Sequence, residues 1–113
     1  LRTAFSSKWV AILKERGSTG TKGIAQRCGV IDSGFRNAWM IPITNTTDKP
    51  IVILKKGVDV EGLGEVVIYP YEKAIAQAIF VEVPKLQSEE ISVEELLNIK
   101  SERGEGMLGS SKK

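Results

Sequence analysis

At 113 residues, with 16 Lys and Arg against 14 Asp and Glu, the chain has room for one domain and a formal charge of only +2, too little for a broad basic face that holds duplex nucleic acid. A single cysteine, Cys28, excludes an internal disulfide, and the lack of any histidine excludes the usual zinc sites, catalytic triads and histidine bases. Acid–base chemistry is left to carboxylates, lysines or tyrosines.

The first residues, Leu1 to Ser7, lack the charged start and apolar middle of a signal peptide, and no apolar run reaches the length of a membrane span, so a cytoplasmic protein is expected. The chain opens at Leu1 and enters a strand-like pattern with no lead-in, from which an incomplete record of the native chain is expected. Strand candidates rich in Val and Ile then follow at Trp9–Leu13, Gly29–Ile31, Trp39–Ile43, Ile51–Leu54, Glu65–Tyr69 and Ile75–Val83. Turn-forming clusters separate them, at Arg16–Gly23, Ser33–Asn37, Asn45–Pro50 and Gly57–Gly64, the punctuation of an all-β sandwich or barrel. One short helix is predicted late in the chain, where Ser92 and Glu95 have capping-box spacing and Leu96, Leu97 and Ile99 supply apolar contacts. Residues 101–113, rich in Gly, Ser and charge, have too little apolar surface to order themselves and are expected to form a mobile tail after a β domain over 1–100.

Four segments carry candidate chemistry: Glu15-Arg16-Gly17-Ser18-Thr19-Gly20, Gly29-Val30-Ile31-Asp32-Ser33-Gly34-Phe35-Arg36, Ile75-Ala76-Gln77-Ala78-Ile79-Phe80, and Arg103-Gly104-Glu105-Gly106-Met107-Leu108-Gly109-Ser110-Ser111. Each alone has an ordinary reading: a glycine turn, a turn aspartate, a core strand whose one amide bonds a backbone carbonyl, and a disordered end. The first also sets a guanidinium and small donors on a loop after a strand, which suits phosphate. In the second, a carboxylate beside water in a partly dry cleft can accept its proton.

In order and spacing the four segments resemble the second to fifth motifs of the dUTPase superfamily, across nearly all of the chain from Arg16 to Ser111. The resemblance implies a distorted β jelly roll, assembled as a homotrimer with active sites shared between subunits, that hydrolyses dUTP to dUMP and pyrophosphate. Asp32 then becomes the base that orients and deprotonates the attacking water. Arg16, Gly17 and Ser18 meet phosphate, as does Gln77; the family's commoner pattern has serine where this chain has Gly17. Gly29 and Ile31 belong to the hairpin that receives the pyrimidine and deoxyribose, and Phe35 lies against the sugar, leaving no room for a 2′-hydroxyl. Gln26 offers the uracil edge both a donor and an acceptor. Arg103, Leu108, Gly109, Ser110 and Ser111 match a closing arm over the nucleotide, with Leu108 where many members carry a stacking phenylalanine. The implied cofactor is Mg²⁺, chelated by the triphosphate and not by a protein cage.

The family's first motif, an Ala-Gly-x-Asp-Leu pattern, is not found in these residues. A dCTP deaminase shares the fold and the hairpin but relies on a glutamate where this chain has Pro42, which cannot act as acid or base. A third reading, a protein-binding regulatory module on the same fold, draws on the long segment Gly57–Tyr71 as an added hairpin.

Overall fold

Alternation over Trp9-Val-Ala-Ile-Leu-Lys-Glu15 buries Ala11 and Leu13 on one face and makes this strand, β1 (Trp9–Glu15), the centre of the fold. The structure, a computed structural model, describes residues 1–101. After β1 come the single helical turn α1 (Gly17–Gly20), then β2 (Ile24–Gln26), β3 (Val30–Asp32), β4 (Ile43–Asn45), β5 (Ile51–Leu54), β6 (Val67–Pro70), β7 (Ala76–Glu82) and α2 (Val93–Asn98). Among the described residues the chain is mostly strand with two short helices, the all-β class that the turn spacing implies.

Three small sheets result among the described residues. The largest has the order β3-β1-β7, antiparallel throughout, with Ala11 opposite Ile31 on one side and Phe80 on the other. Ala11, Leu13 and Ile31 form the core there, with Phe5 and Trp39 packed against it; the rings of Phe5 and Phe80 meet edge to face at 5.2 Å. The second sheet pairs β2 with β4, Ile24 opposite Asn45. The third pairs β5 with β6 in parallel, Ile51 opposite Val67.

This parallel pair corrects the expectation of an added hairpin at 57–71. Parallel strands cannot be joined by a tight turn, so the chain crosses back through 55–66 before Val67 starts its strand. The segment Trp39–Ile43 also departs from its sequence pattern. Trp39 is spent on the start of the chain, its indole Nε1 donating to Thr3 Oγ1 at 3.0 Å and its amide to the Leu1 carbonyl at 3.0 Å, so only Ile43 enters a ladder. The strand β2 is too short to show alternation in the sequence, and its one fully buried side chain is Ile24. The capping box at Ser92 is present as predicted: its hydroxyl accepts the Glu95 amide at 3.1 Å, and Glu95 Oε2 accepts the Ser92 amide at 2.8 Å.

Much apolar surface stays outside this core. Ile79, Phe80, Val81 and Val83 along and beyond β7 are each about half exposed, and α2 buries no residue at all. No helix among the described residues is long and apolar enough to cross a membrane.

Candidate functional site

Where β1 ends, Arg16 turns the backbone into α1, a single turn closed by the Gly20 amide on the Arg16 carbonyl at 2.9 Å. Its guanidinium is held from the residues just before β7: Nη1 donates to the Ala74 carbonyl at 2.9 Å, and the same carbonyl accepts the hydroxyl of fully buried Tyr69 at 2.7 Å. One of five N–H donors is thus committed to aiming the side chain, and among the described residues no carboxylate pairs with it. Gly17 follows, exposed, with open space where a side chain would begin. Ser18 comes next, its Oγ buried without a hydrogen-bond partner.

The β2–β3 turn lies alongside. Gln26 donates its backbone amide to Glu15 Oε1 at 2.8 Å, while both polar atoms of its own side-chain amide are buried and unpartnered. Gly29 makes this possible. It has φ +119, and a Cβ there would stand 2.8 Å from Gln26 Nε2 and 2.9 Å from the Leu13 carbonyl, so any side chain would drive the amide out. Across β1, Gln77 Nε2 donates to the Glu15 carbonyl at 2.9 Å, the backbone partner that its sequence context allows as the ordinary reading. A cleft of about 440 Å³ opens here, lined by Glu15, Arg16, Gly17, Thr21, Ile24 and Thr46 among others. That size suits a small-molecule ligand.

The predicted residues therefore fall into two groups. Arg16, Gly17, Ser18, Gln26, Gly29 and Gln77 gather at the C-terminal end of β1. Asp32 stands opposite Val10, near the other end of the strand, exposed because its neighbour Ile31 takes the inward face. Phe35 closes the turn after it, its amide donating to the Asp32 carbonyl at 3.0 Å, and its ring is partly exposed. From Val10 to Arg16 the strand runs about 20 Å at roughly 3.3 Å per residue, so a single copy keeps the predicted base well away from the predicted phosphate contacts. Ile31 is buried in the core cluster with Ala11 and Leu13. Arg103, Leu108, Gly109, Ser110 and Ser111 lie outside the described residues.

Sequence reasoning placed no role on Thr19 or Glu15. Thr19 is fully buried, with its hydroxyl accepting the Arg16 amide at 2.9 Å and donating to the Arg16 carbonyl at 2.8 Å. Glu15 touches both Gln26 and Gln77. The Gln26 amide first, and then its own backbone amide, hold the Glu15 carboxyl below the usual carboxylate range. Their only signal in the sequence is adjacency to Arg16 and Ser18.

The fold is dUTPase-like, as its likeness to solved structures shows. Two solved structures that the chain resembles are of the dUTPase of Staphylococcus bacteriophage 80alpha. One, a tyrosine-to-phenylalanine mutant with dUpNHpp, is 25% identical at a TM-score of 0.72, over 99% of this chain and 72% of that one. It belongs to work on phage dUTPases that control transfer of virulence genes by a proto-oncogenic G protein-like mechanism. The other, a glycine-to-serine mutant with the same nucleotide analogue, is 23% identical at a TM-score of 0.71, over 97% of this chain and 70% of that one. No protein-family model and no curated protein matches the chain.

Proposed function

We propose that the chain is a dUTP diphosphatase, hydrolysing dUTP to dUMP and pyrophosphate and so removing dUTP from the nucleotide pool. The observation that carries this reading is the set of buried side-chain polar atoms left without a partner. Among the described residues these are Ser18 Oγ, Gln26 Nε2 and Gln26 Oε1, all on residues singled out in the sequence as phosphate and uracil contacts. A buried polar atom without a partner costs about 1–3 kcal/mol, so a bound nucleotide that satisfies all three recovers a cost already present in the free protein.

In this reading Gln26 meets the uracil edge, Phe35 the deoxyribose, and Arg16, Ser18 and Gln77 the phosphates. Asp32 takes a proton from the water that attacks the α-phosphorus, and pyrophosphate leaves. The proposal gives Mg²⁺ no dedicated protein cage. Mg²⁺ would be held by the oxygens of the triphosphate itself and would offset their charge. Arg103, Leu108, Gly109, Ser110 and Ser111 are proposed to close over the bound nucleotide.

The distance between Asp32 and Arg16 supports active sites built from more than one copy of the chain. So does the uncovered apolar surface of β7 and of α2. The radius of gyration, 21.3 Å, is far above the roughly 13 Å of a compact chain of this length. A homotrimer is proposed, and sedimentation of the purified protein tests it. A cytoplasmic setting accompanies the role in nucleotide metabolism.

The decisive experiment measures pyrophosphate release from dUTP, dCTP, dTTP and UTP with Mg²⁺. The proposal expects turnover of dUTP and poor turnover of the others; ammonia release from dCTP at a matching rate would overturn it in favour of a deaminase. A protein-binding module is the second reading. It draws on an apolar cleft of about 540 Å³ lined by Val52, Leu54, Val58, Val60, Leu63 and Tyr71, which shares no lining residue with the cleft at Arg16. A chain that binds a protein partner and turns over no dUTP would favour it.

A further inference from the structure

A carboxylate on the wall of a cleft meant for a triphosphate is out of place on charge alone, since it repels the ligand. Glu15 is such a carboxylate, half-buried beside Arg16. Both of its oxygens are engaged: Oε1 accepts the Gln26 backbone amide at 2.8 Å, and Oε2 faces Lys14 Nζ at 3.5 Å. Its backbone carbonyl accepts Gln77 Nε2 at 2.9 Å. One residue thus touches the turn that carries the uracil-facing amide and the strand that carries the second phosphate contact, and it precedes the first phosphate contact in the chain. The contact to Gln26 is also the largest influence lowering its pKa.

We propose that Glu15 is a positioning residue, a clamp that sets the base-reading amide of Gln26 at a fixed spacing from Arg16 and Gln77; the inference rests on the function proposed above. The backbone bond from Gln77 survives any substitution at Glu15, but the bond to Gln26 depends on the length and acceptor of this side chain. Released from it, the 26–29 turn keeps its pairing through the Leu13 amide and the Gly29 carbonyl but loses its tie next to the amide that reads the base. The charge itself is not needed for the clamp, only an acceptor at that reach.

Glu15→Ala, Glu15→Asp and Glu15→Gln in the full chain test this. Loss of a charge-assisted bond that orders the base site should raise KM for dUTP about tenfold in Glu15→Ala, with kcat within roughly threefold and the preference for dUTP over dCTP reduced by a similar factor. Glu15→Asp, which keeps the charge but falls short of Gln26, should behave as Glu15→Ala does and serves if the alanine variant does not fold. Glu15→Gln, which keeps an acceptor at the same reach, should restore both KM and preference. Unchanged KM and preference in Glu15→Ala and Glu15→Asp, or equal damage in Glu15→Gln, overturns the clamp. If the unaltered chain turns over no dUTP, the proposed function fails and the clamp is judged by hydrogen exchange at the Gln26 amide. Faster exchange in Glu15→Ala but not in Glu15→Gln upholds it, and equal exchange in all three proteins overturns it.

Discussion

Thr19 holds Arg16 from both sides of one residue: its hydroxyl accepts the Arg16 amide at 2.9 Å and donates to the Arg16 carbonyl at 2.8 Å, with no part of Thr19 exposed. The turn that presents the proposed phosphate contacts is therefore closed by the Thr19 side chain as well as by the Gly20 amide. Replacing the hydroxyl by a methyl group of similar size leaves the Arg16 amide without its acceptor, a cost of about 1–3 kcal/mol. Thr19→Val should accordingly lower the melting temperature by several degrees, and Thr19→Ser should hold it near the original value. Thermal unfolding that ranks valine equal to threonine would remove this role from the hydroxyl.

Asp32 is exposed on β3, on the face opposite the core residue Ile31, where it can meet water and substrate without disturbing the packing. Asp32→Asn keeps the shape and cannot accept a proton. Turnover of dUTP should fall by about 10²–10⁴-fold, the usual contribution of a positioned base, while nucleotide affinity and melting temperature stay close to those of the unaltered protein. Calorimetric titration with a non-hydrolysable analogue beside steady-state kinetics separates the two. Full activity in the asparagine variant would assign the base to another group.

Phe35 is proposed to exclude the ribose 2′-hydroxyl by its bulk. Its ring is partly exposed, and its amide closes the turn on the Asp32 carbonyl through backbone atoms alone, so truncating the side chain leaves that bond in place. Phe35→Ala should raise turnover of UTP relative to dUTP by about tenfold or more, the scale on which pockets discriminate by a small group. Competition between the two nucleotides in one assay reads the ratio directly, and an unchanged ratio would hand sugar selection to other residues.

Glu95 caps α2 through the Ser92 amide and hydroxyl, which hold its carboxyl below the usual carboxylate range, the amide being the larger influence. A carboxyl with a lowered folded-state pKa contributes stability at pH values above its ordinary value and loses that contribution as pH falls through the lowered one. Amide-exchange protection in α2 should therefore hold at neutral pH and decline in acid below the ordinary glutamate range. Ser92→Ala should weaken protection at neutral pH and flatten this dependence. The same acid decline in the alanine variant would separate α2 from its capping box.

By itself the sequence determined what is local or strongly patterned. The apolar runs Trp9–Leu13 and Ile75–Val83 announce β1 and β7, and Ser92 with Glu95 announces the start of α2, because apolar runs and capping chemistry are set by near neighbours. The candidate residues Arg16, Ser18, Gln26, Asp32, Phe35 and Gln77 were legible only as a set of motifs in order. Tertiary structure decided how they stand to one another. Antiparallel pairing on both edges of β1 brings Gly29 and Gln77 to the end where Arg16 lies and carries Asp32 toward the other, a separation that depends on register and not on distance along the chain. It also decided that Trp39 serves the N-terminal residues and that β5 and β6 run parallel, since both depend on partners far away in sequence. Glu15 stayed silent in the sequence for the same reason, since its bonds to Gln26 and Gln77 exist only once β1, β2 and β7 have come together; Thr19 acts locally, on Arg16 three residues before it, but a threonine in a glycine-rich turn carries no mark of that role.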